Sequence, residues 1–190
     1  MIEATQYSLA PELETTAWIN ASEPLKLFDL KGKVVVIHAF QMLCPGCVTH
    51  GIPQASAIHE FYANEDVQVI GLHTVFEHHK VMNIEALKAF VHEYRIRFPI
   101  AVDNPSTSSP IPLTMGRYQM KGTPTLIVLD KQGRIRINHF GLLSDMQIGN
   151  IIGGLLAEET DLTICFDNID TLGDSDEVKC DANGCLIQRI

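Results

Sequence analysis

Cys44-Pro45-Gly46-Cys47 constrains this chain more than any other stretch, because of what lies on either side of it. Upstream, Val34-Val35-Val36-Ile37-His38-Ala39-Phe40 follows Lys31-Gly32-Lys33. That run is apolar and largely β-branched, the composition of a strand buried on both faces. Downstream, Val48, Ile52, Ala55, Ile58, His59 and Phe61-Tyr62 recur at helical spacing. Two cysteines two residues apart at a strand-to-helix junction have the spacing of a redox pair. The first caps the helix, where free N–H groups and the dipole favour negative charge, so Cys44 is the expected nucleophile. Cys47, one turn inward, is the expected resolving thiol. Pro45 sits where its missing N–H costs least. A zinc half-site would need a second Cys/His pair at ribbon or finger spacing. Cys165, Cys180 and Cys185 instead lie far away, in a region of different composition.

Strand and helix patterns alternate after the motif. Val67–His73 reads as a second buried strand, and Asn83 as the N-cap of a helix whose apolar face is Ile84, Leu87, Phe90, Val91 and Tyr94. Such alternation implies parallel pairing through right-handed crossovers. Phe98–Asp103 reads as a short edge strand or an extended segment, 106–112 as a Ser/Pro-rich loop and 113–120 as a short helix. Leu126–Leu129 and Arg134–Phe140 form a hairpin around Asp130-Lys131-Gln132-Gly133. Ser144 caps a final helix, which Gly149, Gly153 and Gly154 weaken. At the other end, residues 1–14 read as a loosely attached lead-in. A strand around Trp18 is expected to pair with Leu25-Lys26-Leu27.

The chain resembles thioredoxin-fold proteins, closest to the TlpA-like/redoxin group of thiol–disulfide oxidoreductases within the AhpC/TSA superfamily. The matching residues are Leu25-x-x-Phe28-Asp29-Leu30-Lys31-Gly32-Lys33-Val34-Val35-Val36, then Phe40-x-x-x-Cys44-Pro45-Gly46-Cys47, then Gly122-Thr123-Pro124-Thr125. Asp130-Lys131-Gln132-Gly133-Arg134-Ile135 and Phe140-Gly141 also match, so the resemblance spans roughly residues 15–157. It implies a three-layer α/β/α sandwich with an N-terminal β-hairpin. It also implies a cis Thr123–Pro124 bond facing Cys44 and a Thr123 backbone that pairs with an extended substrate, with Pro45 and Gly46 on the same binding surface. Two departures stand out. Leu43 replaces a tryptophan common in the family. His38 occupies the buried position where thioredoxins carry an aspartate, and would serve either as a proton shuttle or as a neutral core histidine. The Pro-x-x-x-Thr-x-x-Cys pattern of peroxiredoxins is not visible, since Ile37 and Gln41 stand at its first two positions.

The expected organisation is a redoxin domain over 1–157 and an acidic C-terminal β-hairpin extension over 158–190. Of the net charge of −9, most lies in the extension, where nine acidic residues face only Lys179 and Arg189. An acidic chain without a basic patch argues against nucleic-acid partners. Within the extension, 160–166 alternates like a strand, and Val178–Ile187 reads as a hairpin around an Asn-Gly turn that sets Cys180 opposite Cys185. That pair is either a second redox couple, a static staple or two free thiols.

No apolar run reaches the roughly 18–20 residues of a membrane span, and residues 1–7 lack the features of a signal peptide. The expected location is the cytoplasm, or the periplasm if a leader has been removed. The expected activity is reduction of protein disulfides with electrons from a dithiol protein, no organic cofactor and no metal. The alternatives are a redox-sensing binding module without turnover, and a thiol peroxidase that combines Cys44 with the tail cysteines.

Overall fold

The apolar run before the motif forms β2 (Val34–Phe40), buried at every one of its seven positions. A computed structural model describes residues 7–158 and the backbone of two further strands, Asp176–Asp181 and Gly184–Arg189. The chain divides into two compact units, Met1–Glu158 and Glu159–Ile190.

The first unit is a mixed six-stranded sheet. Its strands are β1 (Thr15–Ile19), β2, β3 (Val67–His73), β4 (Ile100–Asp103), β5 (Thr125–Leu129) and β6 (Ile135–Phe140), in the order β1-β4-β3-β2-β5-β6. Parallel pairing joins β2 to β3 and β3 to β4, while β5 and β6 continue antiparallel on the other side. Between β2 and β3 lies α1 (Ile52–Phe61), and between β3 and β4 lies α2 (Ile84–Glu93). The strands step in one direction, so two right-handed crossovers put both helices on the same face. The last helix, α4 (Asp145–Ala157), joins them there.

Period-two alternation on β2 explains the two cores. Val34, Val36 and Phe40 pack with Ile52, Ala55, Ile58, Leu87, Val91, Ile148, Ile152 and Leu155. Val35, Ile37 and Ala39 face the opposite core. That second face is covered by the short α3 (Leu113–Arg117), a 3-10 turn at Leu27–Leu30 and the N-terminal segment. Despite its three glycines, α4 runs unbroken for 13 residues, held by a reciprocal capping box between Ser144 and Gln147.

Two expectations about the N-terminus are corrected. Residues 8–14 are tied down: Ile135 N–H donates to Ser8 O, Ala10 N–H to Gly133 O, and the Tyr118 hydroxyl to Pro11 O. Among the described residues there is also no N-terminal hairpin. β1 pairs antiparallel with β4, which is therefore not the sheet edge, and Trp18 lies opposite Ala101. Leu27 instead opens the 3-10 turn, because the Glu12 carboxylate accepts from Leu27 N–H at 2.8 Å and Phe28 N–H at 2.7 Å. An acid at a helical N-terminus satisfies donors that a strand partner would otherwise take. β1 in turn satisfies the open ladder groups of β4.

In the second unit, β7 (Asp176–Asp181) and β8 (Gly184–Arg189) form an antiparallel hairpin in which Cys180 pairs with Cys185. The strand expected over 160–166, with Cys165, lies outside the described residues.

Two histidines are buried in the first unit at 3 % and 2 % exposure, His38 on β2 and His73 on β3, and the Nε2 of each lacks a hydrogen-bond partner among the described residues. Burial lowers both to about 4 from a usual 6.5. Their unfolded forms bind protons between pH 6.5 and 4 while the folded forms do not. Folding is therefore stabilised above pH 6.5, and that stability is lost as pH falls toward 4. Each histidine accounts for about 3 kcal/mol at full effect. Urea unfolding from pH 7 to 4.5 should show a steep loss of stability that His73→Leu makes shallower. An unchanged slope in that variant would show that the ring is not held neutral.

Candidate functional site

The site lies at the C-terminal end of β2, where the chain leaves the central strand and enters a helix. Helical conformation starts at Pro45, which places Cys44 at the cap, and Val48 N–H donates to Cys44 O at 3.1 Å. A π turn spans Cys47–Gly51, closed by Ile52 N–H to Cys47 O, before α1 continues. Pro53 accounts for it. Proline has no N–H for the carbonyl of residue 49, and its ring crowds that carbonyl, so the helix widens locally.

The two cysteines differ in environment. Cys44 is partly exposed, whereas Cys47 is fully buried. Their sulfurs lie 2.6 Å apart, and Cys47 N–H points at Cys44 Sγ at 3.3 Å. Burial pushes the Cys47 thiol up to about 12, and the adjacent Cys44 sulfur adds to that. Cys47 is thus a protonated thiol at rest. The Cys47 backbone amide thus offers Cys44 Sγ a hydrogen-bond donor.

Opposite the motif, the Thr123–Pro124 peptide bond is cis, and Thr123 O lies 3.5 Å from Cys44 Sγ. Gly46 backs onto the Pro124 ring, close enough that a Cβ there would touch Cδ at 3.5 Å. Pro124 O accepts from Gly141 N–H at 2.8 Å, and the Thr125 hydroxyl donates to Gly122 O at 2.7 Å. The loop before β5 is therefore fixed against the end of β6. Exposed apolar side chains surround this end of the molecule: Leu43, Phe140 and Leu142. Beside α1, a groove of about 650 Å3 is lined by Thr49, His50, Pro53, Gln54, Leu142 and Leu143.

Cys44, Pro45, Gly46, Cys47, Thr123 and Pro124 thus come together from three separate stretches. His38 lies beneath the motif's helix on the same sheet face as the Cys47 core, its ring 6.3 Å from that of Phe40 and stacked on it. Cys180 and Cys185 belong to the other unit.

Two contributors escaped the sequence reading. Gly51 is one, since any Cβ there would overlap Cε1 and Nε2 of His38. A glycine four residues after Cys47, one helical turn on, was the available signal. Gln41 is the other. It is 1 % exposed; its backbone carbonyl accepts from Cys44 N–H at 3.2 Å and its side-chain oxygen from Phe76 N–H at 3.3 Å. A glutamine between a buried strand and the motif gave no periodicity signal.

The model of the AhpC/TSA family matches residues 8–137. The chain belongs to the AhpC/TSA family. Among solved structures, a thioredoxin-like superfamily protein is 52% identical with a TM-score of 0.78, covering 80% of this chain and 98% of its own. A thiol-disulfide isomerase from Corynebacterium glutamicum is also 52% identical, with a TM-score of 0.75, covering 79% of this chain and 98% of its own. Among curated relatives, the thiol-disulfide oxidoreductase ResA of Bacillus cereus is 27% identical over 58% of this chain and 57% of its length. NHL repeat-containing protein 2 of Bos taurus is 28% identical over 70% of this chain, which spans only 18% of that protein. These findings bear out the thioredoxin-like fold and the AhpC/TSA membership that the sequence motifs imply. Within this AhpC/TSA chain, no helix among the described residues is long and apolar enough to cross a membrane.

Proposed function

We propose that the chain reduces protein disulfides by dithiol–disulfide exchange, with Cys44 as attacking and Cys47 as resolving thiol. The observation that carries this is the asymmetric pair: a partly exposed Cys44 sulfur 2.6 Å from a buried Cys47 sulfur, facing the carbonyl that precedes cis-Pro124. Cys44 thiolate attacks a substrate disulfide, and one substrate sulfur leaves as a thiolate and is protonated. Cys47 then attacks Cys44 in the mixed disulfide, and its proton goes with the second substrate sulfur. The substrate gains two electrons and two protons; the enzyme keeps the Cys44–Cys47 disulfide until an external dithiol reduces it.

Pro45, Gly46, Thr123 and Pro124 form the surface on which an extended substrate lies, its backbone alongside Thr123. Leu43, Phe140 and Leu142 favour substrates that present apolar side chains next to the disulfide. We assign His38 to support and not to proton transfer. A neutral ring held at about 4 is a poor acceptor for a thiol at about 12.

The test is turnover of insulin disulfides with dithiothreitol as donor, run beside consumption of hydrogen peroxide with the same donor. Insulin precipitation well above the dithiothreitol background, with peroxide consumption at background, is expected. The reverse result would replace this reading with a peroxidase, and background in both would leave a binding module. The reduction potential of the Cys44/Cys47 couple fixes direction and compartment. A reductase of the cytoplasm should lie near about −270 mV; a value near about −120 mV would make the protein an oxidant.

A further inference from the structure

The second unit carries a feature that the exchange reaction above leaves unused. In its hairpin, Asp181 pairs with Gly184 and Cys180 pairs with Cys185, with a two-residue connection between the strands. A connection of that length is closed by a pair that exchanges backbone hydrogen bonds. Antiparallel pairs alternate, so the next pair along, Cys180 and Cys185, occupies a non-hydrogen-bonded position. At such positions the Cα atoms approach most closely, to about 4.5 Å, within the range that a disulfide spans.

We propose that Cys180 and Cys185, set opposite each other at this register, form a second dithiol–disulfide couple that passes electrons to Cys44 and Cys47. The proposal rests on the exchange reaction proposed for the first unit and names its immediate electron donor. A staple role is the weaker reading, because a disulfide gains most where it closes a long loop, and only four residues separate these cysteines. The feature is also no part of what defines the family here, since the matching model ends at residue 137.

The step balances as two exchanges. A thiolate of the tail pair attacks Cys44 in the Cys44–Cys47 disulfide, because Cys47 is fully buried and Cys44 is not. Cys47 leaves as a thiolate and takes up a proton. The second tail thiol then attacks the mixed disulfide and releases Cys44. The Cys44–Cys47 bond breaks, the Cys180–Cys185 bond forms, and two electrons and two protons move to the first unit. An external dithiol restores the tail pair. Both couples lie on one chain, so the exchange is intramolecular and its rate is independent of protein concentration.

The test counts electrons in the full chain. Wild type, Cys180→Ser/Cys185→Ser and Cys44→Ser/Cys47→Ser are reduced with dithiothreitol, freed of it under argon and mixed with excess insulin. Differential alkylation and peptide mass spectrometry then locate the oxidised cysteines. The expected result is two insulin disulfides reduced per wild-type chain, with Cys180 joined to Cys185. The tail variant should give one, at an unchanged first-turnover rate, and the Cys44/Cys47 variant none. One disulfide per wild-type chain, with Cys180 and Cys185 still open to alkylation, overturns the proposal. So does one disulfide from the Cys44/Cys47 variant, which would make the tail pair an independent reductant. If the tail variant reduces none, the exchange reaction of the first unit fails instead.

Discussion

Replacing Cys44 with serine should lower insulin reduction by at least about 10³-fold, roughly 4 kcal/mol of barrier. Replacing Cys47 with serine should instead trap the enzyme on its substrate. The two outcomes follow from the difference in environment. Cys44 is partly exposed and receives the Cys47 amide, whereas Cys47 is buried and held as a thiol near 12. A serine hydroxyl at position 44 is a far weaker nucleophile than a thiolate, so no mixed disulfide forms. A serine at position 47 leaves the first attack intact but cannot complete the second. Cys47→Ser mixed with a disulfide-bonded protein should therefore accumulate a one-to-one adduct through Cys44, visible on a non-reducing gel and released by dithiothreitol. An adduct through Cys47 in the Cys44→Ser variant would reverse the assignment.

The second large effect is on stability. Gly51→Ala should destabilise the protein by about 1–3 kcal/mol, the usual range for overpacking. Helix propensity alone predicts the opposite sign, since alanine is favoured over glycine in a helix by about 1 kcal/mol. The reversal comes from one contact: a Cβ at position 51 would overlap two ring atoms of His38. His38 has little room to yield, being 3 % exposed with its ring stacked on Phe40. A double-mutant cycle isolates the cause. In a His38→Ala background, Gly51→Ala should become neutral or stabilising, because the ring it meets is gone. Chemical denaturation of the four proteins measures this. Equal destabilisation in both backgrounds would place the cost in the π turn and not in the ring. The same cycle read by insulin reduction tests the support role: a helix displaced by the ring should slow turnover without changing its pH profile.

Much of the first unit is legible in the residues. β2, β3 and β5 announce themselves as apolar β-branched runs, and Asn83 and Ser144 do cap α2 and α4. Cys44, Cys47 and the proline opposite them are visible as motifs, because spacing along the chain is local information. The N-terminal pairing is not legible for a related reason. Leu25-Lys26-Leu27 is short and equally compatible with a strand or a turn, and Glu12, fifteen residues away, decides between them by capping the turn. Side chains that act at a distance of that kind leave no periodicity to read.

Read alone, the residues specify a cysteine pair at a helix start after a buried strand, in a chain with a distinct acidic end. Tertiary structure decided which residues share the site and in what state. It brought Thr123 and Pro124 to Cys44 across 79 residues, made Cys47 inaccessible while leaving Cys44 open, and set Gly51 against His38. It also put three helices on one face of the sheet and left the other to the N-terminal segment, a short helix and a turn. The physical reason is that thiol reactivity and histidine protonation depend on desolvation and on neighbouring dipoles. Those are fixed only once remote strands have packed.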